Sequence, residues 1–238
     1  MQASLPCVAC PNRDQGFCGA LLRNPSNGLD VHEPPGWLSS RTGRRDEEVV
    51  TPDRATDDVF VLCGGLALRF FHLPNGRRQI LDFLLPGDLF SVASLFARQS
   101  HFSVKALTDI QFSGFRRASV LARCAGSPDV IAAIGDVCVV ETRKADELLA
   151  VLAHRSAEER VAYLLLQLVQ RVRTKSVIRE NRYPFPLRQH HIADAVGLTP
   201  VHVSRVMSLF RDRGIVEFSN GILQVLNAAE LERLGSMR

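Results

Sequence analysis

The chain has no apolar run approaching the roughly 18 residues that a membrane span needs. Its opening residues, MQASLPCVACPNRD, carry neither a basic start nor an apolar core, so they do not read as a secretory signal. Both absences point to a cytoplasmic protein. Catalytic signatures are also missing: there is no GxSxG elbow, no Ser–His–Asp arrangement and no Gly-rich phosphate loop. Excess charge of either sign is small, at +4 overall. It is unevenly placed, however. Residues from Ser156 to Arg238 hold 12 Lys+Arg against 8 Asp+Glu, whereas the preceding 155 residues hold 17 of each. A basic C-terminal third suits attraction to phosphates.

With 238 residues, 46% hydrophobic and 23% charged, the chain can build one large or two modest cores. Four segments are expected. Residues 1–24 form a short arm with three cysteines, and 25–127 a second segment whose first part, to about residue 57, is rich in Pro, Gly, Ser and charge. One strand is expected near Glu48–Thr51. VFVLCGGLALRFFHL and QILDFLL then read as two strands joined around Pro74–Arg77, SVASLF as a short helix, and FSVKALTDIQFSGF as two further strands. Together they describe an antiparallel β-roll. Residues 128–155 form a long helix, from Pro128 to about Ala153. On it Ile131, Ile134, Cys138, Glu141, Ala145, Leu148 and Leu152 recur at three- and four-residue steps. This narrow stripe suits a two-helix dimer seam. Residues 156–238 open with a capping box, Ser156-Ala157-Glu158-Glu159, ahead of VAYLLLQLVQRV.

The most informative stretch is QHHIADAVGLTPVHVSRVMSLF, Gln189–Phe210. Gly197 permits a tight turn between two helices. Thr199 is an N-cap, and Pro200 stands at the first helical position, where its missing N–H costs nothing. Ile192, Val196, Leu198, Val203, Met207 and Phe210 are spaced to bury one side. Val201, His202, Ser204, Arg205 and Ser208 make a polar, partly basic face, as a helix entering a DNA major groove requires; Gln189 and Thr199 flank it. Ile215–Glu217 and Ile222–Val225, joined through Asn220-Gly221, read as a β-hairpin wing.

The order β-roll, long helix, winged helix-turn-helix resembles the Crp/Fnr superfamily of bacterial transcription regulators, in its Fnr/FixK-like branch. LPNGRRQILDFLLPGDLF resembles that family's sensor roll, RSAEERVAYLLLQL the helix after the dimer helix, and IADAVGLTPVHVSR its reading motif. The resemblance implies an α+β fold with a cyclic-nucleotide-binding-like roll. It further implies a homodimer that activates transcription from palindromic promoter DNA through RNA polymerase, with no membrane partner. In Fnr-like members the base-reading motif is Glu-x-x-Ser-Arg. Ser204 and Arg205 match its last two positions, and Val201 replaces the Glu. Arg205 can hold a guanine by two hydrogen bonds and Ser204 can reach a base edge; Val201 can meet a thymine methyl, with His202 on a phosphate.

The effector is read from departures as much as from matches. Cyclic-AMP receptors carry an Arg-Ser pair where this chain has Ser100 and His101, and a ribose-binding Glu where it has Val92, so a cyclic nucleotide is not expected. Cys7-x-x-Cys10 followed by Cys18 resembles the arm of Fnr-type oxygen sensors, which hold a four-iron four-sulfur cluster. Their fourth ligand falls at Ser113 here, so Cys63, beside Gly64-Gly65, is the preferred substitute; Cys124 is either a ligand or packed, Cys138 is expected to be packed, and a serine oxygen, an aspartate or a three-cysteine site are the other options. Zinc, a bare thiol switch or an inert arm are the competing readings. A haem would need an axial ligand among His32, His72 and His101, none of which stands in a distinguishing pattern. A cupin-like metalloenzyme built on the roll is the remote rival; His72 and His101 lie far apart in sequence, with no carboxylate at ligand spacing.

Overall fold

A computed structural model describes residues 7, 10, 12–22, 37–52, 54–175 and 181–237; His32 and the loops expected over 25–36 lie outside them. The chain divides into two compact units, Met1–Phe70 with Phe83–Thr142, and Phe71–Asp82 with Arg143–Arg238.

The first unit is a β-roll with helices at its flank. Its strands are β1 (Leu38–Gly43), β2 (Glu48–Val50), β3 (Asp58–Gly64), β4 (Ala67–His72) and, after β5 (Arg78–Leu84), which to Asp82 belongs to the second unit, β6 (Ser103–Ala106) and β7 (Ile110–Arg116). They order as β1-β7-β3 and β2-β6-β4-β5. The single strand expected over VFVLCGGLALRFFHL is two, β3 and β4. The break falls at Gly65, whose φ is +80° and whose missing Cβ would collide with the Asp109 carbonyl oxygen, so only glycine turns the chain there. β1 is an additional strand. Its residues alternate weakly in hydrophobicity, and its pairing with β7 supplies the order that its own sequence does not signal. SVASLF makes a short 3-10 turn, Val92–Leu95, capped by the Ser91 hydroxyl.

Helix α1 (Gly16–Leu22) is part of this unit's core. Phe17, Leu21 and Leu22 are buried with Trp37, Val59, Val61, Phe115, Val120, Val130 and Ile134. Phe17 meets Phe115 edge-on at 6.2 Å, and Trp37 lies 5.6 Å from the same ring. Arg123, on α2 (Arg117–Gly126), covers Trp37 at 4.9 Å and donates to the Leu21 carbonyl at 2.7 Å.

Helix α3 runs Pro128–His154. Its expected stripe is partly engaged by the chain's own fold. Ile134 is buried in the roll's core and Cys138 packs against it. Glu141 pairs with Arg69 at 3.3 Å and accepts from the Val92 backbone at 3.1 Å. Leu152 lies beside Gly197. These residues serve the chain's own fold, and Leu148 is half-buried as well. Ile131 and Ala145 remain exposed, together with Val139, Val140 and Leu149 at 67, 38 and 70% exposure. The helix carries two apolar stripes, and periodicity alone does not distinguish the intramolecular one from the outward one.

In the second unit α4 (Ala157–Lys175) starts with the expected capping box: Glu159 N–H donates to Ser156 Oγ at 3.3 Å and Ser156 N–H to Glu159 Oε2 at 2.9 Å. Those hydrogen bonds and Arg155 hold the Glu159 carboxyl down at about 2. The helices α5 (Gln189–Val196) and α6 (Pro200–Asp212) follow, then the wing, β9 (Val216–Ser219) and β10 (Ile222–Val225). A short β8 (Arg182–Pro184), expected as loop, completes the wing sheet on the other side of β10, and α7 (Ala228–Gly235) closes against α4. Among the described residues no helix is long and apolar enough to cross a membrane.

Candidate nucleic-acid interface and cysteine cavity

The turn between α5 and α6 is made by Gly197, at φ +66°, whose N–H closes back on the Ala193 carbonyl. Thr199 Oγ1 then accepts from His202 N–H at 3.2 Å, which starts α6. The Thr199 oxygen therefore gives one lone pair to the cap and keeps its O–H and a second lone pair. Val203, Val206 and Phe210 are buried. Met207, expected on the buried side, is half-buried, and Val206 takes the deeper position. The opposite face is open. Val201, His202 and Arg205 are exposed, and Ser204 and Ser208 half-buried. Among the described residues the Arg205 guanidinium has no protein partner. Gln189, Val201, Ser204, Arg205, Ser208 and Asp212 line one shallow groove, together with Pro200 and Leu209. Leu209 and Asp212 were not singled out from sequence; adding one further turn to the Arg205 position would have found Leu209.

The cysteines converge in the first unit. None of the six is in a disulfide. Cys7, Cys10, Cys18 and Cys63 line one small, partly open cavity with Ser113, Asn12 and Arg13. Cys63 occupies a bulge, where the β3–β7 register shifts between Leu62 and Gly64. Its sulfur lies 3.2 Å from the buried Ser113 hydroxyl, and the Cys7 sulfur 3.9 Å from the same oxygen. Burial pushes the Cys7 and Cys63 thiols up, and the Ser113 hydrogen bonds partly offset it. Among the described residues no three His, Cys, Asp or Glu side chains converge closely enough to hold a single metal ion. The donor set, four sulfurs facing one pocket, nevertheless has the chemistry that a thiophilic group requires.

Two family models match the chain: the Crp-like helix-turn-helix domain over residues 159–234 and the cyclic nucleotide-binding domain over residues 41–127. The transcriptional activatory protein AadR of Rhodopseudomonas palustris is 30% identical over 95% of this chain and 92% of its own. The chain belongs to the Crp/Fnr family. The nitrogen fixation regulation protein FixK of Bradyrhizobium diazoefficiens is 28% identical over 97% of this chain and 94% of its own, and the solved FixK2 of Bradyrhizobium japonicum superposes with a TM-score of 0.76 at 27% identity, covering 84% and 98%. This Crp/Fnr protein is thus a DNA-binding transcription regulator of the FixK branch, not an enzyme.

Other positions weighed for an effector have local roles in this Crp/Fnr chain. Ser100 Oγ donates to the Phe102 carbonyl and accepts from the Phe102 N–H, so it shapes a turn. His101 lies edge-on to Phe102 at 5.3 Å. Cys124 and Cys138 line no part of the cysteine cavity; both pack against the apolar cluster under α1.

Proposed function

We propose that this regulator is a cytoplasmic homodimer that activates transcription in response to oxygen or redox state, sensed at the cavity of Cys7, Cys10, Cys18 and Cys63. One observation carries the reading. Four cysteines spread over 57 residues of chain face the same pocket, and the fourth stands beside the hydroxyl where a fourth ligand is expected. The four thiols would hold a four-iron four-sulfur cluster, which supplies oxygen-labile redox chemistry when bound.

The chain's own residues supply the rest. Cys18 sits on α1 beside Phe17, and Phe17 and Leu21 pack in the cluster that includes Val130 and Ile134 of α3. A shift of α1 therefore bears on the first turns of the long helix. The outward stripe of Ile131, Val139 and Leu149 is the surface for a second copy, which would pair two reading helices on a palindromic promoter site. Contact with RNA polymerase belongs to the same reading.

The test is iron and acid-labile sulfide content of air-free protein, with absorption spectra, oligomeric state and duplex binding recorded before and after air. A brown chromophore lost in air together with tight binding is expected. Colourless protein without iron or sulfide, whose binding ignores air, would remove the sensor reading and leave the DNA-binding one intact.

A further inference from the structure

We propose that Val201 reads the methyl group of a thymine, so that each half-site carries a T·A pair within two base pairs of the guanine held by Arg205. The inference extends the interface assigned above to its sequence preference.

Val201 is 63% exposed on the first turn of α6, whose inner side is already filled by Val203, Val206 and Phe210. It is not needed for the core, and it stands on the face that meets DNA. It lines the same groove as Arg205, Ser204 and Gln189. Valine has no donor and no acceptor, so it can hold neither a phosphate nor the amino, carbonyl or ring-nitrogen edges of a base. Of the four bases, only thymine offers the major groove an apolar group, its C5 methyl. Against cytosine the same side chain would cover a polar amino edge and leave its donor unpaired. Val201 and Arg205 are one turn apart on one face, a rise of about 6 Å. Bases along one strand are spaced by roughly 3.4 Å, which sets the two-pair limit.

The experiment starts from a randomised duplex pool selected with the full-length protein under air-free conditions. The selected half-site is expected to contain a guanine and, within two pairs, a T·A pair. Replacing that thymine by uracil removes one methyl group and nothing else. Binding by the unaltered protein should weaken about three- to tenfold. V201A should bind the thymine and uracil duplexes alike, and cytosine replaced by 5-methylcytosine at that site should recover part of the affinity for the unaltered protein only. A selected site without that T·A pair, equal binding of thymine and uracil duplexes by the unaltered protein, or retained discrimination by V201A would each overturn the inference while leaving DNA binding in place. A pool that yields no bound duplex would instead overturn the DNA-binding assignment, and this inference with it.

Discussion

Arg78 Nε donates to Asp194 Oδ2 at 2.6 Å, tying the tip of the β4–β5 hairpin to the first helix of the helix-turn-helix. The neighbouring Gln79 side chain donates to the Ala195 carbonyl at 3.1 Å, so two consecutive hairpin residues grip two consecutive residues of α5. Both charged side chains are about one-fifth exposed, which limits solvent screening. Lys144 and Arg171 each reach the Asp82 carboxylate at 2.8 Å, further along the same strand.

A double-mutant cycle measures this grip. R78A and D194A should each lower stability, and the pair should show a coupling energy of about 0.5–3 kcal/mol. Thermal or urea unfolding of the four proteins reads it directly. Strict additivity would mean that the contact contributes nothing to the fold.

Arg205→Ala should weaken specific binding by about 1–3 kcal/mol and relax the preference at one position of the half-site. A base-edge contact neutralises no phosphate, so under the proposed role the salt dependence of non-specific binding should hardly change. Competition across singly substituted duplexes, at two salt concentrations, separates the cases. A uniform loss over all sequences with a flatter salt slope would make Arg205 a phosphate contact.

The hydroxyl of Ser113 gives a rescue experiment for the sensor reading. C63A should lose bound iron and sulfide, and C63A/S113C should regain them, because a thiol at 113 would start from the point that the Cys63 sulfur approaches to 3.2 Å. Iron analysis and the absorption spectrum suffice as readouts. Equal loss in the single and double variants would show that position 113 cannot supply the ligand.

The two faces of α3 should respond differently. Val139→Lys, on the outward stripe, should shift the sedimentation equilibrium toward monomer with little change in unfolding of each subunit. Ile134→Ala, inside the roll's core, should cost about 2–5 kcal/mol of stability, as truncation of a buried isoleucine does. Reversal of these two outcomes would put the contact between subunits on the face of Ile134 instead.

That pair of residues also marks where sequence reading stops. The reading motif was legible because its signals are local: Gly197 for the turn, Thr199 and Pro200 for the helix start, and Asn220-Gly221 for the wing. Ser156 and Glu159 were legible for the same reason, being three residues apart. The role of Glu141 was not, since its partner Arg69 lies 72 residues earlier and its acidity looked like an interruption of an apolar seam. Cys63 was reached only through the family resemblance. Its closeness to Ser113 depends on a strand pairing across 50 residues and on a local bulge, neither of which has a signature in one sequence. The strands β1 and β8 were missed because they are short and partly exposed, and owe their order to a neighbour.

Trp37 is the chain's sole tryptophan, and it sits at the seat of α1 between Phe115 and the Arg123 guanidinium. Emission excited selectively at indole therefore comes from one place only, the floor on which the cysteine-bearing arm rests. The molecule carries its own optical gauge of arm docking: any event at the cavity that unseats Phe17 or Leu21 should admit water to that ring and move its emission to the red, with no label attached.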